Sequence, residues 1–175
     1  QWAGHIGETF IIPQGYFKAM VFDDPKWDWK TFDFTKPEDF KILQEADARY
    51  GPILNANDPD LNAFKELGGK LIMWHGWADQ NIAPQNSINY YQSVVADQGD
   101  EATTQEFMRL FMVPGVGHCS GGTGPDKFDA LAALDDWVAK GKAPTQIIAS
   151  KVKDGKAALT RPLCVYPQVE RYKGS

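Results

Sequence analysis

Lys70-Leu71-Ile72-Met73-Trp74-His75-Gly76-Trp77-Ala78-Asp79 and, further on, Met112-Val113-Pro114-Gly115-Val116-Gly117-His118-Cys119 are the two stretches that decide how this chain reads. Each is an apolar run that breaks into turn residues and hands over one ionisable side chain. Short continuous apolar runs are the pattern of strands covered on both faces in a parallel sheet. Such a sheet places its ligand-handling groups on loops just past the carboxyl ends of the strands. Asp79 and His118 are therefore the first candidates for chemistry.

Outward from these runs, the chain from Lys70 onward alternates strand and helix. Strands are predicted at Leu71–Trp74 and Phe107–Val113. A helix is predicted from Pro84 to about Val95, with Ile88, Tyr91 and Val95 on one face, and a polar loop over Ala96–Gln105. Asp126 is the expected cap of a helix whose apolar stripe is Phe128, Leu131, Leu134 and Val138, ending at Gly141 with Pro144 beyond. Ile147-Ile148-Ala149 and the basic, Pro-containing tail after Thr160 read as short elements or coil.

Residues 1–68 have another character. Phe10, Tyr16, Phe17, Phe22, Trp27, Trp29, Phe32 and Phe34 crowd together, broken by Pro25, Pro37 and many aspartates. Tyr16–Phe22 fits helix or strand, and Asp23-Asp24-Pro25 forces a turn. Thr35 is the expected N-cap of a helix running toward Arg49, and a short helix near Leu61–Leu67 stops at Gly68-Gly69. The rings form either a packed core or a wall against a substrate; packing is the commoner fate of Phe and Trp. The fold class is α/β, with segments 1–68 and 69–175. Two parallel strands with crossover helices make too little sheet to be covered alone, which predicts further strands on the N-terminal side. A first residue of Gln rather than Met fits a processed, truncated or excerpted chain.

Bulk properties narrow the partners. With 175 residues, a formal net charge of −5 and a pI near 5.1, the chain has no basic footprint for nucleic acid. No apolar run approaches membrane-spanning length. Cys119 and Cys164 lack the spacing of a zinc site; they pair with each other, pair elsewhere, or stay as thiols.

A strand-end carboxylate followed by a strand-end imidazole matches the later part of a Ser…Asp…His hydrolase in α/β-hydrolase order. Imidazole takes and returns a proton near neutrality, and a carboxylate on its other nitrogen fixes the tautomer. The nucleophile has no counterpart: Ser120 lacks the first glycine of a G-x-S-x-G elbow, and Ser87, Ser93, Ser150 and Ser175 lack an elbow altogether. The glycine run after Val113 also departs from G-x-G-x-x-G, with Ser120 at the third glycine. A metal set of His75, Asp79, His118 and Cys119 requires i, i+4 helical spacing that a strand end does not supply. His75 reads instead as a structural residue at the turn presenting Asp79. The competing functional reading is a non-catalytic module binding carbohydrate or a protein partner, with a structural Asp/His pair.

Several blocks carry a resemblance. They are Phe22-Asp23-Asp24-Pro25-Lys26-Trp27-Asp28-Trp29, Ile53–Leu61, Gly68–Asp79, Pro114–Cys119, Phe128-Asp129-Ala130-Leu131 and Thr160–Gln168. In this order they resemble the tannase and feruloyl esterase family of α/β-hydrolases, whose relatives include mono(2-hydroxyethyl) terephthalate hydrolases. The resemblance implies the C-terminal half of such an enzyme: the end of a lid (1–68), then the last part of the catalytic domain (69–175). It implies a serine carboxylesterase acting on gallate- or ferulate-type esters, with Asp79 as triad acid and His118 as base. It also implies that Cys119 bridges to a cysteine beside the serine, that Cys164 pairs outside the chain rather than with Cys119, and that Ile82 either lines the acyl pocket or serves in packing. The serine and the calcium site of the lid belong to the missing N-terminal half, so this segment alone is expected to hold no cofactor and to be inactive. Disulfides of this kind fit secretion or the periplasm.

Overall fold

The computed structural model describes residues 11–171 and 174; Phe10, noted above among the aromatics, lies outside them. Two compact units are present, 1–57 and 58–175.

In the first unit, helix α1 (Ile11–Tyr16) runs into a π-helical turn, Phe17–Val21, so the Tyr16–Phe22 stretch is helical rather than extended. The rings that follow pack on Phe17, which is buried. Trp27 stacks on Phe17 and Phe22 with centroids 5.1 and 4.9 Å away, and Phe32 closes the group, 5.5 Å from Phe17. These rings form this unit's core. Helix α2 (Pro37–Leu54) differs from expectation at both ends. Thr35 is not its cap: its N–H and hydroxyl both go to the Asp33 carboxylate. Lys36 holds the N-cap position, with Pro37 in the first turn, where the missing N–H costs nothing. The helix continues past Arg49 and through Pro52.

The second unit begins with helix α3 (Asn62–Glu66). Its Phe64 ring lies 6.5 Å from Phe107 and its Lys65 amine 3.1 Å from the Gln98 amide oxygen. These contacts tie α3 to the residues after it, and the compact unit accordingly starts at Asp58, ahead of the change in sequence rhythm at 68.

Strand β1 (Leu71–Gly76) pairs in parallel with β2 (Met108–Val113), in register from Leu71 opposite Met108 to Gly76 opposite Val113. Between them run helix α4 (Pro84–Gln98) and α5 (Glu101–Gln105). The stretch expected as a polar loop is thus helical on both sides of Gly99. Asp100 caps α5 by accepting the Thr103 N–H at 2.7 Å, a local signal the sequence reading missed. Ile88, Tyr91 and Val94 of α4 bury against Met108, Leu110 and Met112. The other face of β2, Phe111 and Val113, packs with Val116, Ile147, Ala149, Leu163 and Val165. Strand β2 is therefore covered on both faces. β1 is only half-buried and Trp74 is 37% exposed, whereas full burial is expected from its sequence. Among the described residues β1 has a single strand neighbour.

Two further corrections concern the C-terminal third. Helix α6 (Ala130–Lys140) is capped by Asp129, not Asp126; Asp129 accepts the Ala132 N–H at 2.8 Å. Starting there, the helix turns Trp137 inward and leaves Leu131 and Val138 exposed, so the predicted stripe is rotated. Ile147-Ile148-Ala149 and the tail after Thr160, expected as short elements or coil, belong to one hairpin, β3 (Gln146–Lys153) and β4 (Lys156–Cys164). Asp154 and Gly155 at its tip both have positive φ, 51° and 73°, the backbone that favours Asp-Gly in tight hairpins. Just past β4, Val165 bridges Phe111, and the Tyr166 N–H donates to the Leu110 carbonyl at 2.8 Å. The hairpin is thereby attached to the outer edge of β2.

Phe111 is fully buried between these layers. Phe111→Ala is expected to cost about 3–5 kcal/mol in urea unfolding. Leu131→Ala, on the exposed face of α6, is expected to stay within about 0.5 kcal/mol of wild type.

Candidate active site

The in-register parallel pair brings the carboxyl ends of β1 and β2 to one edge, and the loops beyond them stay bonded. The Trp77 N–H donates to Val113 and the Ala78 N–H to Val116, each at 2.9 Å. Gly76 permits this approach, since a Cβ there would lie 2.3 Å from the Val116 carbonyl oxygen. In the second loop Val116 is fully buried and anchors the turn, while Gly124 donates to the Gly115 carbonyl at 2.9 Å. A Cβ on Gly124 would sit 1.8 Å from the Pro114 oxygen. The glycines of this run serve the loop's closure on itself. Asp126 fastens its far end, accepting the Gly121 N–H at 2.9 Å and pairing with Lys151 of β3 at 3.2 Å.

Asp79 and His118 meet. His118 Nδ1 lies 2.9 Å from Asp79 Oδ2. The Asp79 side chain is 4% exposed and that of His118 43%. Oδ1 of Asp79 accepts the backbone N–H groups of Asn81 at 2.8 Å and Ile82 at 2.9 Å, while Oδ2 also accepts from His75 Nε2 at 3.0 Å. Burial opposes ionisation of Asp79. The N–H groups of Ile82, His118, Asn81 and His75 outweigh it and hold the carboxyl down at about 2. An ionised carboxylate only accepts, so the proton facing it belongs to His118 Nδ1, and the neutral ring keeps its lone pair on Nε2. This is the proton arrangement of a general base with a free nitrogen on an exposed edge.

His75 stands where the sequence suggested, at the turn presenting Asp79, and it bonds the carboxylate directly. Ser87, which the sequence sets aside as a nucleophile for want of an elbow, has its Oγ 2.7 Å from His75 Nδ1; this pairing follows no motif. Ile82 is 45% exposed, and its backbone N–H is what this residue gives to Asp79. Among the described residues no hydroxyl is bonded to His118 Nε2, and no group of His, Cys, Asp or Glu is arranged to hold a metal ion. Cys119 is exposed, with φ of 60°, and Cys164 is half-buried. Both are free thiols, so the Cys119–Cys164 bridge is not formed.

The model of the tannase and feruloyl esterase family matches residues 7–175. The chain belongs to that family. It is 47% identical over 123 residues to a mono(2-hydroxyethyl) terephthalate hydrolase of Piscinibacter sakaiensis, covering 69% of this chain and 20% of that protein. It is 37% identical over 169 residues to a probable feruloyl esterase of Arthroderma benhamiae, covering 94% of this chain and 31% of that one. Among solved structures, feruloyl esterase B of Aspergillus oryzae superposes with a TM-score of 0.80 at 26% identity, over 91% of this chain and 33% of the other. Tannin acyl hydrolase of Aspergillus niger gives 0.71 at 27% identity, over 87% and 29%. The α/β-hydrolase reading of the parallel pair agrees with these family members. The chain spans about a fifth to a third of the length of the relatives it matches.

The depressed Asp79 carboxyl has a consequence for stability. It titrates near 2 when folded and near 3.9 in an unfolded chain. Its contribution is therefore complete above about pH 4 and is lost as pH falls toward about 2. Thermal midpoints measured across that range should show Asp79→Asn less stable than wild type at pH 7. The variant's decline between about pH 4 and 2 should be shallower.

Proposed function

We propose that this chain carries the acid and base of a serine carboxylic-ester hydrolase acting on hydroxyaromatic esters of the gallate or ferulate type. The observation that carries the reading is the 2.9 Å bond between the buried Asp79 carboxylate and the half-exposed His118. Hydrogen-bond reach between two residues from separate strand ends favours the enzyme over a binding module with a merely structural Asp/His pair. The names of the relatives supply the substrate class: a terephthalate monoester for one, feruloyl esters for others.

In this reading, a serine from the rest of the protein attacks the ester carbonyl while His118 Nε2 takes its hydroxyl proton. The tetrahedral intermediate collapses, the C–O bond to the alcohol breaks, and the imidazolium returns the proton to the departing oxygen. Water then attacks the acyl-serine, giving its proton to Nε2; the bond from the acyl carbon to the serine oxygen breaks, the imidazolium returns the proton to that oxygen, and the carboxylic acid and free serine result. Asp79 stays ionised throughout, holding the ring in the Nδ1–H tautomer and stabilising its cation.

The same reading assigns 1–68 to the end of a lid and 69–175 to the last part of the catalytic domain, completed by an N-terminal half of the same protein. It leaves the calcium site of the family's lid to that half. It gives the exposed thiol of Cys119 a partner beside the serine, and Cys164 a partner outside this segment. Such bridges suit a secreted or periplasmic enzyme. No helix among the described residues is long and apolar enough to cross a membrane. In this reading Ile82, an exposed residue three positions beyond Asp79, lines the acyl pocket.

In the complete protein, His118→Ala is expected to lower turnover of a ferulate or gallate ester by roughly three to six orders of magnitude. Near-normal turnover in that variant rejects the assignment. The 175-residue segment expressed alone should show no ester hydrolysis above that of its own His118→Ala form.

A further inference from the structure

Ser87 and His75 take no part in the proton transfers above, yet they are bonded to the group that controls them. His75 occupies the penultimate position of β1 and Ser87 the first turn of α4. Their hydrogen bonds run in series: Ser87 Oγ to His75 Nδ1 at 2.7 Å, His75 Nε2 to Asp79 Oδ2 at 3.0 Å, and Asp79 Oδ2 to His118 Nδ1 at 2.9 Å. A helix, a strand and both catalytic loops are thus joined through one carboxylate oxygen.

The proton count along this series is constrained. Ionised Asp79 only accepts, so His75 Nε2 must carry hydrogen. A neutral ring protonated there keeps a lone pair on Nδ1, and the Ser87 hydroxyl is the donor that meets it. Asp79 is the single charged group bonded to His75 among the described residues. The His75 side chain is 12% exposed, so water contributes little to the choice of tautomer. Were the proton on Nδ1 instead, a lone pair on Nε2 would face the carboxylate, and the two would repel.

We propose that Ser87 and His75 are positioning residues for the hydrolytic pair. The Ser87 hydroxyl locks neutral His75 in its Nε2–H tautomer, and that N–H holds one lone pair of Asp79 Oδ2. Two effects follow. The carboxylate cannot rotate away from His118 without losing a buried bond. Part of its negative charge is also taken up by His75, which limits how strongly it stabilises the His118 cation and keeps that cation ready to release its proton. Ser87 is not the nucleophile in this arrangement: it is half-buried on a helix and bonded to the histidine that is not the base.

The proposal rests on the acid–base reading of Asp79 and His118, and its tests include one that needs no turnover. In the complete protein, His75→Phe should lower kcat about 10- to 100-fold, by analogy with other outer partners of catalytic groups. KM should change by less than about twofold, because no contact with substrate is removed. The acidic limb of the kcat/KM profile should move to higher pH, since the undivided carboxylate holds the His118 proton more tightly. His75→Gln, whose amide N–H reaches the Nε2 position, should restore most of the rate and the original limb. Ser87→Ala should fall between. Independently, long-range ¹H–¹⁵N spectra of the wild-type protein at pH 7 should show His75 neutral and protonated on Nε2.

A proton on Nδ1, or a cationic His75, overturns the lock. So does His75→Phe with unchanged kcat and pH profile, or, should that variant not fold, Ser87→Ala with an unchanged profile. A loss in Ser87→Ala as deep as that in His118→Ala would make Ser87 the nucleophile and overturn the positioning role. If the wild-type protein hydrolyses no ester, the spectra still decide the tautomer, so the two readings fail separately.

Discussion

The in-register parallel ladder between β1 and β2 is the constraint on which the rest of the second unit depends. Residues 71–76 and 108–113 end level with one another, so the loops after them start side by side. The bonds from Trp77 and Ala78 to Val113 and Val116 carry the pairing beyond the strands. A one-residue slip would turn the apolar faces of β2 away from their partners and separate the two loops. The packing of Phe111 and Val113 on one side and Met108, Leu110 and Met112 on the other forbids that slip. Hydrophobic burial thus sets a distance between two polar groups that it never touches.

Burying a carboxylate is costly unless its lone pairs are occupied. Asp79 meets the cost with two backbone N–H groups and two imidazoles. The backbone donors come from the turn immediately after it, a local arrangement that Asp favours by accepting from residues two and three positions on. The imidazole donors come from the strand before it and from the neighbouring loop. Local turn geometry therefore holds one oxygen and tertiary structure holds the other.

Much of this was legible in the sequence because it rests on short-range signals. The apolar runs ending in His75-Gly76-Trp77-Ala78-Asp79 and Pro114–His118 point to both strands and to the two residues that meet in the candidate site. The errors have physical causes. Asp126 and Asp129 both have the residue type of a cap, and only the tertiary contacts with Gly121 and Lys151 show that Asp126 is engaged elsewhere. Thr35 lost its cap role because Asp33 claimed its N–H and hydroxyl. The hairpin does not stand out in the sequence although Asp154-Gly155 marks its tip, because apolar residues fall on both faces of β3: Ile147 and Ala149 are buried, whereas Ile148 and Val152 are exposed, which blurs the alternation. The bond from Ser87 to His75 was invisible for a different reason: it spans a strand end and a helix start, and no periodicity encodes it.

The tether from Asp126 to Lys151 and Gly121 has a broader meaning. It makes the hairpin a buttress for the loop that presents the imidazole, so the cost of ordering that loop is met when the chain folds. Sequence drift on that outlying hairpin is then felt in the placement of an imidazole it never contacts.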